Sequence, residues 1–294
     1  MTHDFSIHFW GVRGSHPSAG PDFVQTGGNT SCVEMRVAGQ RLIFDAGTGI
    51  VPLGHQIMAQ GGDSAVLILL SHYHHDHIQG LPHFPPLFIN NRVIYIVAPW
   101  NVFQDRVWDL LMNPSAHATI AERPGLRARR RTLLIEGSER LFWNANDPLP
   151  LRIATDNEPT PAGWVEITTY RSHAHPRGGS MCYRVVNAGK SAVFATDTES
   201  YLGADRGLAE FARDADLIIH DAHFTPAEYS SKQGWGHSTW EMAVELARFA
   251  NIKHVALFHH DPSHTDAQMD EIEAAACADY AHVFVAREGG EVVL

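Results

Sequence analysis

The chain is poor in cysteine and contains no long hydrophobic run. Its three cysteines, Cys32, Cys182 and Cys277, are far apart and odd in number, so they do not suggest the paired framework of a small disulfide-stabilised domain. No Cys-x-x-Cys pair occurs, which argues against a zinc site built from thiolates. The aliphatic run at residues 65–70 is far shorter than the roughly 20 apolar residues of a membrane-spanning helix. We therefore expect no membrane association.

Positive charge is also scarce, because the 294 residues include 22 Lys and Arg against 33 Asp and Glu, a formal net charge of −11. This balance argues against a protein that grips nucleic acid mainly through its phosphates. The first residues lack the basic and apolar regions of a secretory signal, so we expect a cytoplasmic protein. One dense basic cluster is either a solvated loop or strand edge, or a surface for an anion or a partner. It contains Arg127, Arg129, Arg130 and Arg131.

Short apolar runs that end at polar residues are typical of strands buried on both faces. They predict strands at residues 5–10, 32–37, 41–44, 66–70, 93–97, 165–170, 181–186, 192–195, 217–220 and 254–258. Helices are predicted at residues 53–58, 101–112, 239–249 and 266–278. The composition, 44% hydrophobic and 19% charged, is typical of a folded soluble protein. No linker-like segment divides the chain, so we expect one α/β domain over residues 1–294.

Histidine is abundant, with 20 residues along the chain. Residues 72–77 read His-Tyr-His-His-Asp-His and directly follow the predicted strand at 66–70. Residues two apart in an extended chain face the same side, so His72 and His74 can bind one metal ion together. Asp76 and His77 lie past the bend and can bind a second ion nearby. Imidazole with carboxylate suits zinc, iron or manganese rather than calcium or magnesium. A histidine-rich surface loop is the alternative.

This hexapeptide resembles the His-x-His-x-Asp-His signature of the metallo-β-lactamase superfamily. The resemblance implies a four-layer αββα sandwich. It also implies a third histidine before a glycine-rich turn, a bridging aspartate at the end of a strand, and a last histidine after a late strand. His175, Asp197 and His259 occupy the matching positions, with His173 as a weaker rival for the first.

The resemblance therefore implies two divalent transition-metal ions, zinc with manganese or iron as alternatives. One would be held by His72, His74 and His175, the other by Asp76, His77 and His259, with Asp197 between them. Two such ions about 3.5–4 Å apart can share a hydroxide and activate it as a nucleophile. Asp76 is thus expected to act in catalysis as well as in binding. Metal ligands also need partners that orient each ring, and we expect Asp45 and Asp221 in that role, with a turn or helix-cap role as the alternative for Asp45.

Further segments narrow the resemblance to a phosphodiesterase-like branch that includes relatives of tRNase Z and of the phosphoribosyl cyclic-phosphate phosphodiesterases. They are residues 10–15, 27–32, 45–49 and 234–239. The last resembles the branch's Gly-His-Ser/Thr element. In this element His237 would donate a proton to the leaving oxygen or stabilise the phosphate. The alternative is that His237 is a helix N-terminal residue without a catalytic role. Arg13 is expected to bind phosphate through its guanidinium group, with a surface ion pair as the alternative. Asn29 is a second candidate for substrate binding.

These expectations predict a metal-dependent hydrolase of small or cyclic phosphodiesters. A variable insert is expected at about residues 100–160, which match no part of the family pattern. The basic arm with which tRNase Z holds tRNA is not evident, so a tRNA substrate is not expected. The main alternative is an acyl-bond hydrolase, a lactonase or thioesterase of the same fold. The complete ligand set argues against a non-catalytic metal protein, and a redox di-iron protein is less expected because no flavin-binding domain is evident. An oligomer is left open.

Overall fold

Two β-sheets lie against each other in the computed structural model, which describes residues 5–61, 65–90, 92–100, 128–176, 178–200 and 205–294. The first sheet has the strand order β15-β1-β2-β3-β4-β5-β6, and the second has the order β14-β13-β12-β11-β10-β9-β7-β8. The first contains β1 (Phe5–Gly11), β2 (Cys32–Val37), β3 (Gln40–Phe44), β4 (Ala65–Leu69), β5 (Val93–Pro99), β6 (Arg129–Ile135) and β15 (Glu291–Val293). The second contains β7 (Arg140–Trp143), β8 (Leu151–Ile153), β9 (Val165–Ser172), β10 (Ser180–Asn187), β11 (Lys190–Ala195), β12 (Leu217–Asp221), β13 (His254–Phe258) and β14 (Val283–Val285).

Helices and short helical turns connect these strands. The α-helices of the described residues are α1 (Ile50–Ala59), α2 (His75–Ile78), α3 (Arg206–Phe211), α4 (Pro226–Tyr229), α5 (Trp240–Phe249) and α6 (Asp266–Asp279). Single 3-10 turns lie at Pro21–Phe23, Leu81–His83 and Pro85–Phe88. None of these helices is long and apolar enough to cross a membrane.

Aromatic and aliphatic side chains from both sheets fill the space between them. The ring centroid of Phe44, in the first sheet, lies 5.3 Å from that of Phe194 and 5.8 Å from that of Tyr183, both in the second. All three side chains are fully buried. Burial of a side chain such as Phe contributes about 1.5–3 kcal/mol, so this layer is the main source of the free energy that holds the two sheets together.

The outer faces of the sheets are covered by helices. Leu53 of α1 belongs to the same buried cluster as Ile43 of the first sheet. Leu246 of α5 and Met269 of α6 belong to a cluster with Ile218 of the second sheet. The layers are therefore helix, sheet, sheet and helix, which confirms the predicted αββα sandwich.

The predicted strands are all present, with ends that differ from the predictions by at most two residues. The helices predicted at 53–58, 239–249 and 266–278 are also present, the first beginning three residues earlier, while the one predicted at 101–112 lies outside the described residues. The sequence did not predict β6, β7, β8, β14 and β15. Three of these strands lie within the expected insert at 100–160. That part of the segment belongs to the sandwich, since β6 ends one sheet and β7 and β8 end the other.

The basic cluster lies partly on β6. Arg129, Arg130 and Arg131 are exposed on this strand at the edge of the first sheet, and Arg127 lies outside the described residues. Their position matches the alternative of a strand edge, where charged side chains discourage pairing with another chain.

Parallel strands bring distant parts of the chain to one edge of the sandwich. In the first sheet Phe44 pairs with Leu69, so β3 and β4 end side by side. In the second sheet Ala195 pairs with His220, and Asp221 pairs with Phe258, so β11, β12 and β13 end together. These five ends carry Asp45, His72 to His77, Asp197, Asp221 and His259, while His175 lies in the loop after β9.

Candidate metal centre

The first group of possible metal ligands contains His72, His74, His175 and Asp197, which each offer one atom within 4.8 Å of the others. The chain is extended at His74, just before α2 begins, so the rings of His72 and His74 lie on the same side with centroids 4.4 Å apart. His175 Nε2 lies 3.1 Å from His74 Nδ1. The structure therefore brings together three histidines that the sequence predicted to share one ion.

The second group contains Asp76, His77 and His259. Asp76 and His77 lie in α2, and His259 follows β13 directly. His77 Nε2 lies 3.1 Å from His259 Nε2, and Asp76 Oδ2 lies 3.2 Å from the same nitrogen. The main-chain N–H of Ser15 donates to Asp76 Oδ2 over 2.8 Å, which fixes the carboxyl group.

Asp197 lies between the two groups and directs one oxygen to each. Its Oδ1 is 3.5 Å from His72 Nε2 and 3.7 Å from His175 Nε2. Its Oδ2 is 3.2 Å from both His77 Nε2 and His259 Nε2. This is the geometry expected of a carboxylate that bridges two ions.

The donor atoms fit metal ions better than they fit one another. His72 Nε2 is buried, and the described residues give it no hydrogen-bond partner. Paired imidazole nitrogens, such as His77 Nε2 and His259 Nε2, face each other at hydrogen-bond distance, although only one of two such nitrogens can donate. Buried carboxylates lie beside them, Asp76 and Asp197 being 6% and 1% exposed. Nitrogen and carboxylate donors in two adjoining groups suit divalent transition-metal ions.

Burial and charge act differently on the rings. Burial lowers the pKa of His72 and of His175, which keeps their nitrogens available as ligands. Burial also opposes charge on His77, but the carboxylates of Asp197 and Asp76 outweigh it and raise its pKa. Burial likewise opposes ionisation of Asp76, yet His77 holds the pKa of its carboxyl group well below the usual range. The carboxyl groups of Asp76 and Asp197 therefore stay ionised, beside imidazole nitrogens that can bind a cation with them.

Asp45 contacts the second group through His77. It follows β3, is fully buried, and accepts a hydrogen bond from His77 Nδ1 over 2.7 Å. Ser71 donates to it through both its N–H and its hydroxyl. This contact fixes the direction of the His77 ring, and the role of Asp45 in orienting a metal ligand stays a prediction.

Asp221 joins the two metal groups to His237. Its Oδ2 accepts from His237 Nδ1 over 2.8 Å and from the Asp197 N–H over 3.1 Å, and its Oδ1 accepts from the Ser238 N–H. The ring of His237 stacks on that of His259 with centroids 5.0 Å apart. Burial opposes charge on His237, but Asp221 outweighs it and raises the pKa of His237 to about 9.

Two residues of the site were not predicted. His223 is buried, donates from Nδ1 to the carbonyl oxygen of His259 over 2.7 Å, and stacks on His237 with centroids 4.5 Å apart. Its position two residues after Asp221, at the end of a predicted strand, was a signal that could have found it. Glu199 is 1% exposed and contacts the loop that carries His237; nothing in its sequence pattern indicated this.

Arg13 does not have the surroundings of a phosphate ligand. It is 0% exposed, and burial lowers the pKa of its guanidinium group. Its side chain donates to main-chain carbonyl oxygens, those of Gly27, Asp261 and His264. We therefore revise its predicted role: Arg13 ties the connection between β1 and β2 to the loop that follows β13. The alternative of a surface ion pair does not fit either, because the residue is buried.

Asn29 is likewise engaged within the protein. Its main-chain N–H and its side-chain amide both donate to the carboxyl group of Glu288, the latter over 2.9 Å. Its carbonyl oxygen accepts from the N–H groups of Val12 and Arg13. These contacts give Asn29 a role in shaping the loop in place of the predicted role in substrate binding.

Two glycines let the backbone approach the ligand rings. A Cβ atom at Gly14 would overlap the rings of His259 and His223, and one at Gly236 would overlap His175. Gly236 also has a φ of +92°, a conformation that residues other than glycine seldom adopt. Both glycines belong to the segments on which the family resemblance rests.

Comparisons with known proteins identify the family and the fold. A family model described as "Beta-lactamase superfamily domain" matches residues 40–260. Ribonuclease Z of Prochlorococcus marinus (strain NATL2A) is 27% identical over 255 residues, covering 76% of this chain and 78% of the relative. Ribonuclease Z of Rippkaea orientalis is 29% identical over 126 residues, covering 42% of this chain and only 38% of the relative.

Solved structures show the same fold. The crystal structure of human tRNase Z, short form, has a TM-score of 0.61 at 21% identity and covers 98% of both chains. The structure of a diphosphatase from the PhnP family has a TM-score of 0.64 at 17% identity, covering 99% of this chain and 98% of that one. At these identities the likeness establishes the architecture.

Proposed function

Because the chain belongs to the metallo-β-lactamase superfamily, we propose that it is a metal-dependent hydrolase of phosphodiester bonds. One observation carries the proposal: the seven predicted ligands form two adjoining groups joined by Asp197, and His237 lies beside them, held by Asp221. The names of the relatives, ribonuclease Z and a diphosphatase, favour phosphoryl over acyl chemistry.

We assign the two groups to two divalent ions. His72, His74 and His175 would hold one, and Asp76, His77 and His259 the other, with Asp197 shared. When bound, such a pair supplies activated water for attack and neutralises charge on the phosphoryl oxygens. Zinc is the metal that the nitrogen-rich donor set favours, with manganese and iron as alternatives.

His237 is assigned the proton transfer to the leaving oxygen. Its Nδ1 donates to Asp221, so Nε2 is the nitrogen that remains for the substrate. Asp221 is buried at 0% exposure and fixes both the tautomer and the direction of the ring. A positioned general acid typically accelerates a reaction about 10²–10⁴-fold.

Two substrate classes remain candidates. The net charge of −11 favours a small or cyclic diester, because a long polyanion would be repelled. The ribonuclease Z relatives favour RNA, and they do not support our expectation that tRNA is an unlikely substrate. We propose the small or cyclic diester as the first candidate and RNA as the second.

The test combines metal analysis with a panel of substrates. Protein grown with added zinc or manganese is expected to contain two ions per chain and to hydrolyse bis(p-nitrophenyl) phosphate and a cyclic nucleotide. A precursor tRNA, a lactone and a thioester complete the panel. Asp197→Ala is expected to lose the second ion and most of the activity while keeping the fold, as judged by circular dichroism. Faster turnover of the lactone or thioester than of every diester would overturn the proposal, as would a metal content of zero.

A further inference from the structure

We infer that Glu199 is a positioning residue that holds the segment from Gly234 to Gly236, and through it directs His237 toward the substrate. The inference rests on the proposed function, because it concerns the same site. It adds a residue for which neither the sequence pattern nor the ligand groups provide a role.

The contacts of Glu199 converge on one loop. Its Oε1 accepts from the N–H of Gly234 and from the hydroxyl of Tyr229, each over 2.7 Å. Its Oε2 accepts from the N–H of Gly236 over 2.8 Å. The side chain is 1% exposed, so water cannot replace these hydrogen bonds without opening the loop.

The segment from Gly234 to Gly236 contacts His175 and leads directly into His237. His237 follows Gly236 directly, and the carbonyl oxygen of Gly236 accepts from His175 Nδ1 over 3.0 Å. The peptide groups around Gly236 therefore connect Glu199 on one side with a ligand histidine and with His237 on the other. Gly234 and Gly236 both have positive φ, +86° and +92°, and glycine is the residue with the greatest backbone freedom. A fixed acceptor is what such a segment needs to hold one conformation.

The same loop carries both Glu199 and the bridging aspartate. Asp197 lies two residues before Glu199, and Ser238 interlocks the two loops by donating to the Thr198 carbonyl oxygen over 2.6 Å and accepting from the Ser200 N–H over 3.1 Å. Glu199 thus sets the distance between the loop of Asp197 and the loop of His237 at two points beyond this contact. Loss of these points is expected to loosen His237 more than the metal groups, which have their own contacts.

Glu199→Gln tests the inference with little change of shape. Glutamine has one acceptor oxygen and one NH₂ group, so it cannot accept from both Gly234 and Gly236. Amide hydrogen exchange at these two glycines, measured by NMR or mass spectrometry, is expected to accelerate at least tenfold. Glu139→Gln is the matched control, because Glu139 also accepts from the N–H of a glycine, Gly137, and from a hydroxyl, but at the turn between β6 and β7.

Kinetics test the consequence for His237. We expect Glu199→Gln to lower kcat about 10–100-fold for a diester with a poor leaving group, less for one that releases p-nitrophenolate, and to leave metal content unchanged. In a His237→Ala background the same substitution is expected to change kcat less than threefold, because residues that act as a unit are not additive. Glu139→Gln is expected to match the wild type in both measurements.

Other outcomes would overturn the inference. One is an unchanged rate of amide exchange at Gly234 and Gly236. The other is a loss of kcat that is equal for both leaving groups and just as large in the His237→Ala background. Should Glu199→Gln not fold, Glu199→Asp, which withdraws both oxygens by one methylene, is expected to change exchange and kcat in the same direction. Because exchange needs no substrate, it decides whether Glu199 holds the segment even if the wild type hydrolyses no diester, an outcome that would overturn the proposed function instead.

Discussion

Replacing Asp45 with Asn tests how the protein presents His77 to a metal ion. Asp45 is fully buried, and its Oδ2 accepts from His77 Nδ1 over 2.7 Å. Because this bond keeps a proton on Nδ1, it leaves a free lone pair on Nε2, the atom that lies 3.1 Å from His259 and 3.2 Å from Asp197. The carboxyl group therefore selects the tautomer that can bind metal.

Asparagine has the same shape as aspartate but only one acceptor oxygen. In the wild type, Asp45 Oδ1 accepts the Ser71 N–H over 2.7 Å, and Oδ2 accepts the hydroxyls of Ser71 and Ser31 together with His77. If the amide oxygen stays with the Ser71 N–H, the NH₂ group faces His77 and favours the proton on Nε2. Loss of such an orienting partner typically costs about 10–100-fold in metal affinity, which corresponds to about 1.4–2.8 kcal/mol.

We expect Asp45→Asn to weaken the ion of the His77 group by this factor and to affect the His72 group less. Dialysis against graded chelator, followed by metal analysis, measures the two release steps. Asp216→Asn is the matched control, since Asp216 is also a buried carboxylate that accepts a main-chain N–H but lies at the start of β12, the opposite end from the site. Unchanged release in Asp45→Asn, or an equal change in the control, would refute the reasoning.

Three further predictions follow from single contacts. Gly14→Ala is expected to displace the ring of His259 and to release one ion per chain. Gly39→Ala should keep both ions, because a Cβ there would meet open space and its φ of +73° strains only the turn between β2 and β3. Equal metal contents would contradict the role of Gly14. His237→Ala is expected to lower kcat about 10²–10⁴-fold for a diester with a poor leaving group, and less for one that releases p-nitrophenolate. Its metal content should equal that of the wild type, and loss of an ion would show that His237 is a ligand. Arg13→Met is expected to lower the free energy of unfolding by about 1–3 kcal/mol in chemical denaturation without changing KM, and a raised KM would restore it as a substrate ligand.

The sequence was sufficient to predict the site where chemistry and strand ends coincide. The aliphatic strand predicted at residues 66–70 and the residues from His72 to His77 after it predicted the metal chemistry and its place after the end of a strand. The resemblance then supplied His175, Asp197 and His259, and the structure places His175 and His259 in separate groups on either side of Asp197. Neighbouring parallel strands place their carboxyl ends together. Polar residues after several predicted strands therefore indicate a common site from the sequence alone.

The remaining residues depend on contacts that have no sequence signal. Arg13 has the residue type of a phosphate ligand, but its three carbonyl partners lie in loops up to 251 positions away, and only the folded chain shows that it is buried. The edge strand β6 begins with exposed arginines, a pattern that does not alternate, so periodicity could not find it. Glu199 acts on main-chain N–H groups, which every sequence contains.

Backbone strain at the strand ends links the fold to the site. Asp45, Asp197 and His259 have φ angles of 59°, 52° and 60°, in the left-handed region that costs a residue other than glycine on the order of 1–3 kcal/mol. Each comes within two residues of the end of a buried strand, and in each case the turn directs the side chain into the centre. Glycine would relieve the strain but would remove the ligand or its partner. The three turns therefore lower the stability of the fold. They do so where a strand ends and the next side chain must face the centre, either as a ligand or as the partner of one.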